Sequence, residues 1–170
     1  VMAPKSMLRN AMAVSSLEEL ADGEFQRIIP DTETDPKKTR KVLLCSGKVY
    51  YDLYEKRAEM GLHDIAIVRI EQLYPLSDAA IEKVIGVYPN TAEMVWVQEE
   101  PENMGAWPYM HFRFDRFLPG GYRLTGIYRQ ASASPATGSA ASHKHEQVEV
   151  TALALDAAVP ASKTEYMEKI

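Results

Sequence analysis

From residue 41 onward, short apolar runs alternate with stretches whose apolar residues recur every three or four positions, and the first forty residues show neither pattern. Val42-Leu43-Leu44-Cys45 is continuously apolar and closed by Ser46-Gly47, which predicts a strand buried on both faces, as in a parallel sheet. Over residues 48–60, Val49, Leu53, Tyr54 and Met60 fall near helical spacing, and Gly61 stands where a helix stop is expected. Ile65-Ala66-Ile67-Val68-Arg69-Ile70 predicts a second buried strand, Met94-Val95-Trp96-Val97-Gln98 a third and Leu124-Thr125-Gly126-Ile127-Tyr128 a fourth. Ser77, just after Pro75, is a helix cap for a segment with Ala80, Ile81, Val84 and Ile85 on one face, ending near Gly86. The aromatic stretch 107–117 reads as helix, 131–142 as a small polar loop, and 145–158 as a final amphipathic helix. Strands separated by helices imply βαβ crossovers, so the expected fold is α/β, a three-layer α/β/α unit with a mainly parallel sheet.

The opening is a poorer core. Residues 1–3 suit the end of a strand closed by Pro4, Lys5-Ser6-Met7-Leu8-Arg9 a short helical turn, and Ser15-Ser16-Leu17-Glu18-Glu19-Leu20 a capping box. Pro30-Asp31-Thr32-Glu33-Thr34-Asp35-Pro36-Lys37-Lys38 is polar, proline-bracketed and aperiodic, which predicts an exposed loop. The expected division is therefore 1–40 as linker and end of a preceding domain, 41–160 as the α/β domain and 161–170 as a tail. A chain that opens on Val1 reads as a piece of a longer polypeptide.

Composition narrows the partners. With 46% hydrophobic and 25% charged residues the chain is ordinary globular sequence, and a net charge of −5 with mixed signs gives no footprint for a phosphate backbone, so nucleic acid is excluded as a partner. A single cysteine, Cys45, excludes an intrachain disulfide and suits a reducing interior, cytoplasmic or mitochondrial matrix, with the cytoplasm preferred. No apolar run approaches the roughly 18 residues of a membrane helix, so a membrane is not expected as a partner.

Ligands of such sheets bind at the carboxyl ends of the strands, here Ser46-Gly47, Glu71-Gln72, Gln98 to Glu100 and Arg129. Ser46-Gly47-Lys48 offers free N–H groups and a lysine, but a P-loop's first glycine is Val42 and its final Ser/Thr is Val49, so a plain turn is the simpler reading. Glu99 and Glu100 are adjacent, and on a strand they face opposite ways, which rules out a shared acid/base site; a structural or interfacial role is expected, together with Trp107. Cys45 inside an apolar strand reads as a small hydrophobe. His143 and His145, two apart in a helical region, do not converge on a metal, and Tyr109, His111, Phe112, Phe114 and Phe117 read as helix packing.

Four segments together resemble one family. Leu43-Leu44-Cys45-Ser46-Gly47-Lys48-Val49-Tyr50-Tyr51-Asp52-Leu53, Ile67-Val68-Arg69-Ile70-Glu71-Gln72-Leu73-Tyr74-Pro75, Trp96-Val97-Gln98-Glu99-Glu100-Pro101 through Gly105-Ala106-Trp107, and Ala131-Ser132-Ala133-Ser134-Pro135-Ala136-Thr137-Gly138 resemble, in this order and spacing, the carboxy-terminal end of the decarboxylating first component of 2-oxoglutarate dehydrogenase. Pro4-Lys5-Ser6-Met7-Leu8-Arg9 is similar to that family's link from the pyrimidine-binding domain.

The resemblance implies a transketolase-like carboxy-terminal domain that supports dimerisation and active-site architecture in a tricarboxylic acid cycle enzyme. It implies thiamine diphosphate and a magnesium ion bound by upstream domains of the same polypeptide, a homodimer, and a dihydrolipoyl succinyltransferase partner. No catalytic or cofactor-binding residue of the family maps onto this chain, and the fragment alone is expected to be inactive. Some relatives hold an activating acetyl-coenzyme A with a glutamine, matched here by Gln72, and with basic residues whose places are taken by Glu24, Ala79 and Ala80, which cannot neutralise phosphates. Two other readings stand beside this one: a free-standing module that binds coenzyme A or a nucleotide, and the same domain from a pyruvate or transketolase-type relative.

Overall fold

The computed structural model describes residues 4–115 and 117–159; the expected strand end at 1–3 and the tail at 161–170 lie outside them. Five strands form one sheet in the order β1-β3-β2-β4-β5: β1 is Ile28–Ile29, β2 Lys41–Cys45, β3 Ile65–Ile70, β4 Glu93–Pro101 and β5 Leu124–Arg129. The pairs β2/β3, β2/β4 and β4/β5 are parallel, and only β1 runs antiparallel, against β3. Helices α2 (Val49–Met60) and α5 (Ala140–Ala154) cover one face; α3 (Asp78–Ile85) and α4 (Trp107–Phe114) cover the other. The fold is thus the three-layer α/β/α arrangement with a mainly parallel sheet.

Strand alternation sorts the core into two layers. Val42, Leu44, Ala66, Val68, Met94 and Trp96 pack under α3 and α4, whereas Leu43, Cys45, Ile65, Ile67, Val95 and Val97 pack under α2 and α5. That two-sided burial is why β2 and β3 read as unbroken apolar runs. The helix signals also act as expected: Ser16 and Glu19 make the reciprocal capping box of α1 (Leu17–Asp22), Ser77 caps α3, and Gly61 ends α2 in the left-handed conformation at φ 62°.

Three expectations need correction. The final helix is Ala140–Ala154, not 145–158, because Ser139 accepts a hydrogen bond from Ser142 N–H and caps the helix early. The aromatic helix stops at Phe114, where Asp115 turns left-handed; Phe114 is buried, but Phe112 and Phe117 are exposed and are not core packing. Residues 30–40 are not simply an exposed loop. The Asp31 side chain is buried, accepts from Ile67 N–H (2.9 Å), and is ion-paired to Arg57, which also donates to Ile65 O (3.1 Å). Arg57 lies one turn beyond Leu53 on the stripe Val49-Leu53-Arg57 that faces the sheet, so α2 places a cation inside and the chain before β2 supplies its counter-ion.

Burial pushes the Asp31 carboxyl up, but the Ile67 N–H and the Arg57 guanidinium together outweigh burial and hold it below the usual carboxylate range. Its stabilising contribution is complete above the unfolded-chain value of about 3.9 and is lost as pH falls through the lower folded value. Asp31→Asn is expected to cost about 3 kcal/mol at pH 7, because it strands a buried guanidinium. In urea titrations the gap to wild type narrows as pH drops below about 3.9.

Candidate functional site

The chain leaves β2 toward one face and β4 toward the other, so the switch point of this sheet lies between the carboxyl ends of these two adjacent strands. A cleft of about 490 Å³ opens there, lined by Ser46 from the end of β2, Leu73 and Tyr74 from the β3–α3 loop, Gln98 and Glu100 from β4, and Tyr109 from α4. Two of the four strand ends singled out from the sequence, Ser46-Gly47 and Gln98 to Glu100, contribute to this cleft; Glu71-Gln72 does not line it, and only Leu73 and Tyr74 just beyond it do. The fourth, Arg129, lines a separate cleft of about 570 Å³ between the end of β5, residues 131–137 and α5.

Gln98 builds the back wall. β4 runs on past the end of β2 to Pro101, and its overhanging turn would bury unpaired backbone groups. The Gln98 carboxamide meets that need: Oε1 accepts from Trp96 Nε1 (3.0 Å) and from Trp107 N–H (2.7 Å), while Nε2 donates to Pro101 O (3.0 Å) and Met104 O (2.7 Å). Gly105, at φ 65°, completes the turn. A Cβ there would stand 3.0 Å from Gln98 Nε2 and from Glu100 Cβ, so a side chain would displace the amide. Trp107 is buried at the start of α4 and packs on Tyr128, ring centroids 5.3 Å apart.

Glu99 and Glu100 do face opposite ways. Glu99 pairs with Lys48 (2.9 Å) and accepts from Gln147 Nε2 (3.2 Å), tying β4 to α2 and α5. Gln147 also donates to Asp52 (2.7 Å) and accepts from Arg129 (2.6 Å), so one polar network crosses this face from α2 to β5. Glu100 is exposed on the cleft side. Gln72 is half-buried beside Leu73 and Tyr74, and its Nε2 donates to Pro75 O (2.7 Å).

The remaining candidates are occupied. Burial pulls the Lys48 ammonium down, yet the Glu99 and Asp52 carboxylates outweigh it and keep the lysine charged, and Gly47 N–H faces Glu71 Oε1 (3.4 Å). Carboxylates therefore take up the groups a phosphate would need at this turn. Cys45 is buried and its thiol is pushed up to about 12, chiefly by burial and then by Glu71. His143 Nδ1 lies 3.2 Å from Arg129 Nη1, and among the described residues no three His, Cys, Asp or Glu side chains are grouped to hold a metal. These residues do not fit thiamine diphosphate with its magnesium ion. Among them, too, no helix is long and apolar enough to cross a membrane.

A doubly wound α/β domain with a mainly apolar cleft at its switch point, backed by the Gln98 amide, is the class that fold and site define. Sequence comparison carries it further: residues 14–155 match the family described as 2-oxoglutarate dehydrogenase C-terminal, and the chain belongs to that family. It is 45% identical over 148 residues to the 2-oxoglutarate dehydrogenase E1 component of Cupriavidus necator, 86% of this chain and 16% of that protein. To the protein of the same name from Coxiella burnetii it is 45% identical over 159 residues, covering 92% and 17%. The 2-oxoadipate dehydrogenase complex component E1 of Xenopus laevis is 42% identical over 154 residues, covering 89% and 16%. The chain thus spans about a sixth of the length of these curated relatives.

Sequence reasoning placed Gln98 only at a strand end and missed its role. The Trp96 indole N–H and the Trp107 backbone N–H both bond to its amide, and the Trp96 indole makes emission a direct reporter of it. Gln98→Leu keeps the volume but strands four partners, three of them in buried bonds; an expected loss of about 3 kcal/mol or more, with a shifted tryptophan emission, is read by urea unfolding followed in fluorescence. A loss below about 1 kcal/mol contradicts the hub role.

Proposed function

We propose that the chain works as the carboxy-terminal domain of a thiamine-diphosphate-dependent 2-oxoglutarate dehydrogenase first component, an oxidoreductase of the tricarboxylic acid cycle that passes a succinyl group to lipoyl on a dihydrolipoyl succinyltransferase. The observation that carries this is the family match over residues 14–155 together with 45% identity to proteins of that name. In this reading residues 41–160 form the body of the domain, residues 1–40 link it to a pyrimidine-binding domain and lend β1 and Asp31 to its sheet, and the upstream domains hold thiamine diphosphate and magnesium. The domain supports a homodimer in a cytoplasmic complex; Glu99 and Trp107 hold its strand ends rigid, and Glu100 faces the neighbouring parts of the enzyme.

The chemistry of the described residues supports a scaffolding role. Their lysine and glycine at the switch point are engaged by carboxylates, and the buried thiol is inert. The pure 170-residue chain, supplied with thiamine diphosphate and magnesium, is expected to release no carbon dioxide from 2-oxoglutarate. A full polypeptide containing it is expected to do so, and more readily than from pyruvate. Turnover by the chain alone, or preference of the full polypeptide for pyruvate, overturns the assignment.

One observation favours a second reading, a coenzyme A or nucleotide effector module: Leu73, the neighbour of Gln72 in the chain, lines the switch-point cleft. Glu24, Ala79 and Ala80 supply no positive charge for phosphates, which weighs toward the first. Calorimetric titration with acetyl-coenzyme A and with AMP separates them. The scaffold reading expects no heat at micromolar ligand, and binding abolished by Gln72→Ala supports the effector site.

A further inference from the structure

β5 is the last strand of the sheet and is bonded to β4 on one side only, so the outward N–H and C=O groups of Leu124–Arg129 have no ladder partner among the described residues. A single antiparallel bridge, Phe117 to Arg123, lies just ahead of it. Folded proteins guard such edges with lysine, proline or a bulged edge strand; Leu-Thr-Gly-Ile-Tyr-Arg carries neither of those residues. Nearby, Phe117 is 58% exposed and Leu153 45%.

The two ends of the strand differ in charge. Arg123 is exposed at the start. At the finish, Arg129 is neutralised by Glu146 (3.2 Å), which leaves Glu149 on the rim of the 570 Å³ cleft and Glu102 bonded to Tyr128 Oη (3.2 Å) as an acidic excess. Arg129 Nε is also the one buried side-chain nitrogen or oxygen without a partner among the described residues, an independent mark of an incomplete environment at that end.

An open edge with a basic start and an acidic finish is complementary to itself when a second copy runs antiparallel. We propose that β5 pairs with β5 of a second copy of this chain about a two-fold axis, joining the two sheets into one. This rests on the homodimer reading and names its surface in this domain. Each Arg123 then lies beside the acidic end of the other copy, and the exposed Phe117 and Leu153 are covered.

Sedimentation equilibrium of the 170-residue chain tests it, with circular dichroism confirming that each variant is folded. Expected is a dimer that Arg123→Glu weakens about tenfold or more and that the exchange Arg123→Glu with Glu149→Lys restores. A dimer indifferent to Arg123→Glu, or weakened by it and not restored by the exchange, overturns edge pairing and leaves the homodimer standing. A monomeric chain beside a dimeric full polypeptide does the same. A monomer in both overturns the homodimer reading as well.

Discussion

A parallel sheet covered by helices on both faces has only its two poles and two edges left for contact, and every unpaired backbone group at a pole must find a partner there. In this chain β4 outruns β2, and the Gln98 carboxamide takes up the overhang by serving the Trp96 indole, the first N–H of α4 and two turn carbonyls at once. The closed turn after β4 and the placement of α4 at the back of the cleft both depend on that one amide. An apolar side chain in its place would leave the turn nothing to close on.

Much of the architecture was legible because each signal was local. Unbroken apolar runs marked β2 and β3, Ser16 with Glu19 marked α1, Ser77 marked α3 and Gly61 ended α2. What escaped was set by partners far away in sequence. Nothing adjacent to Asp31 announces that its counter-ion is Arg57, although a cation on the apolar stripe of α2 was a clue that a buried acid had to exist. Arg129 likewise read as a strand end, and only the folding of α5 against β5 gives it Gln147 and Glu146.

The candidate site was legible in location and less so in chemistry. Placing it at the strand ends needed only the alternation of strands and helices. Deciding that Lys48 is engaged by Glu99 and Asp52 needed the relative positions of β4 and α2. Relatives named for 2-oxoglutarate and the one named for 2-oxoadipate align over similar spans at 45% and 42% identity. The sequence of this region thus does not separate the two names.

The polar contacts also differ in reach, and this bears on the order of assembly. The bond from Trp107 N–H to Gln98 spans nine residues, that between Arg57 and Asp31 spans 26, and that between Lys41 and Asp156 spans 115. Closing a longer loop costs more chain entropy before any contact rewards it. Loop-closure entropy therefore favours the strand-end turn as the earlier contact and the stitch from Lys41 to Asp156 as the later one. A nascent chain from which α5 and Asp156 have not yet emerged would carry a cleft wall on a sheet still open at its opposite pole.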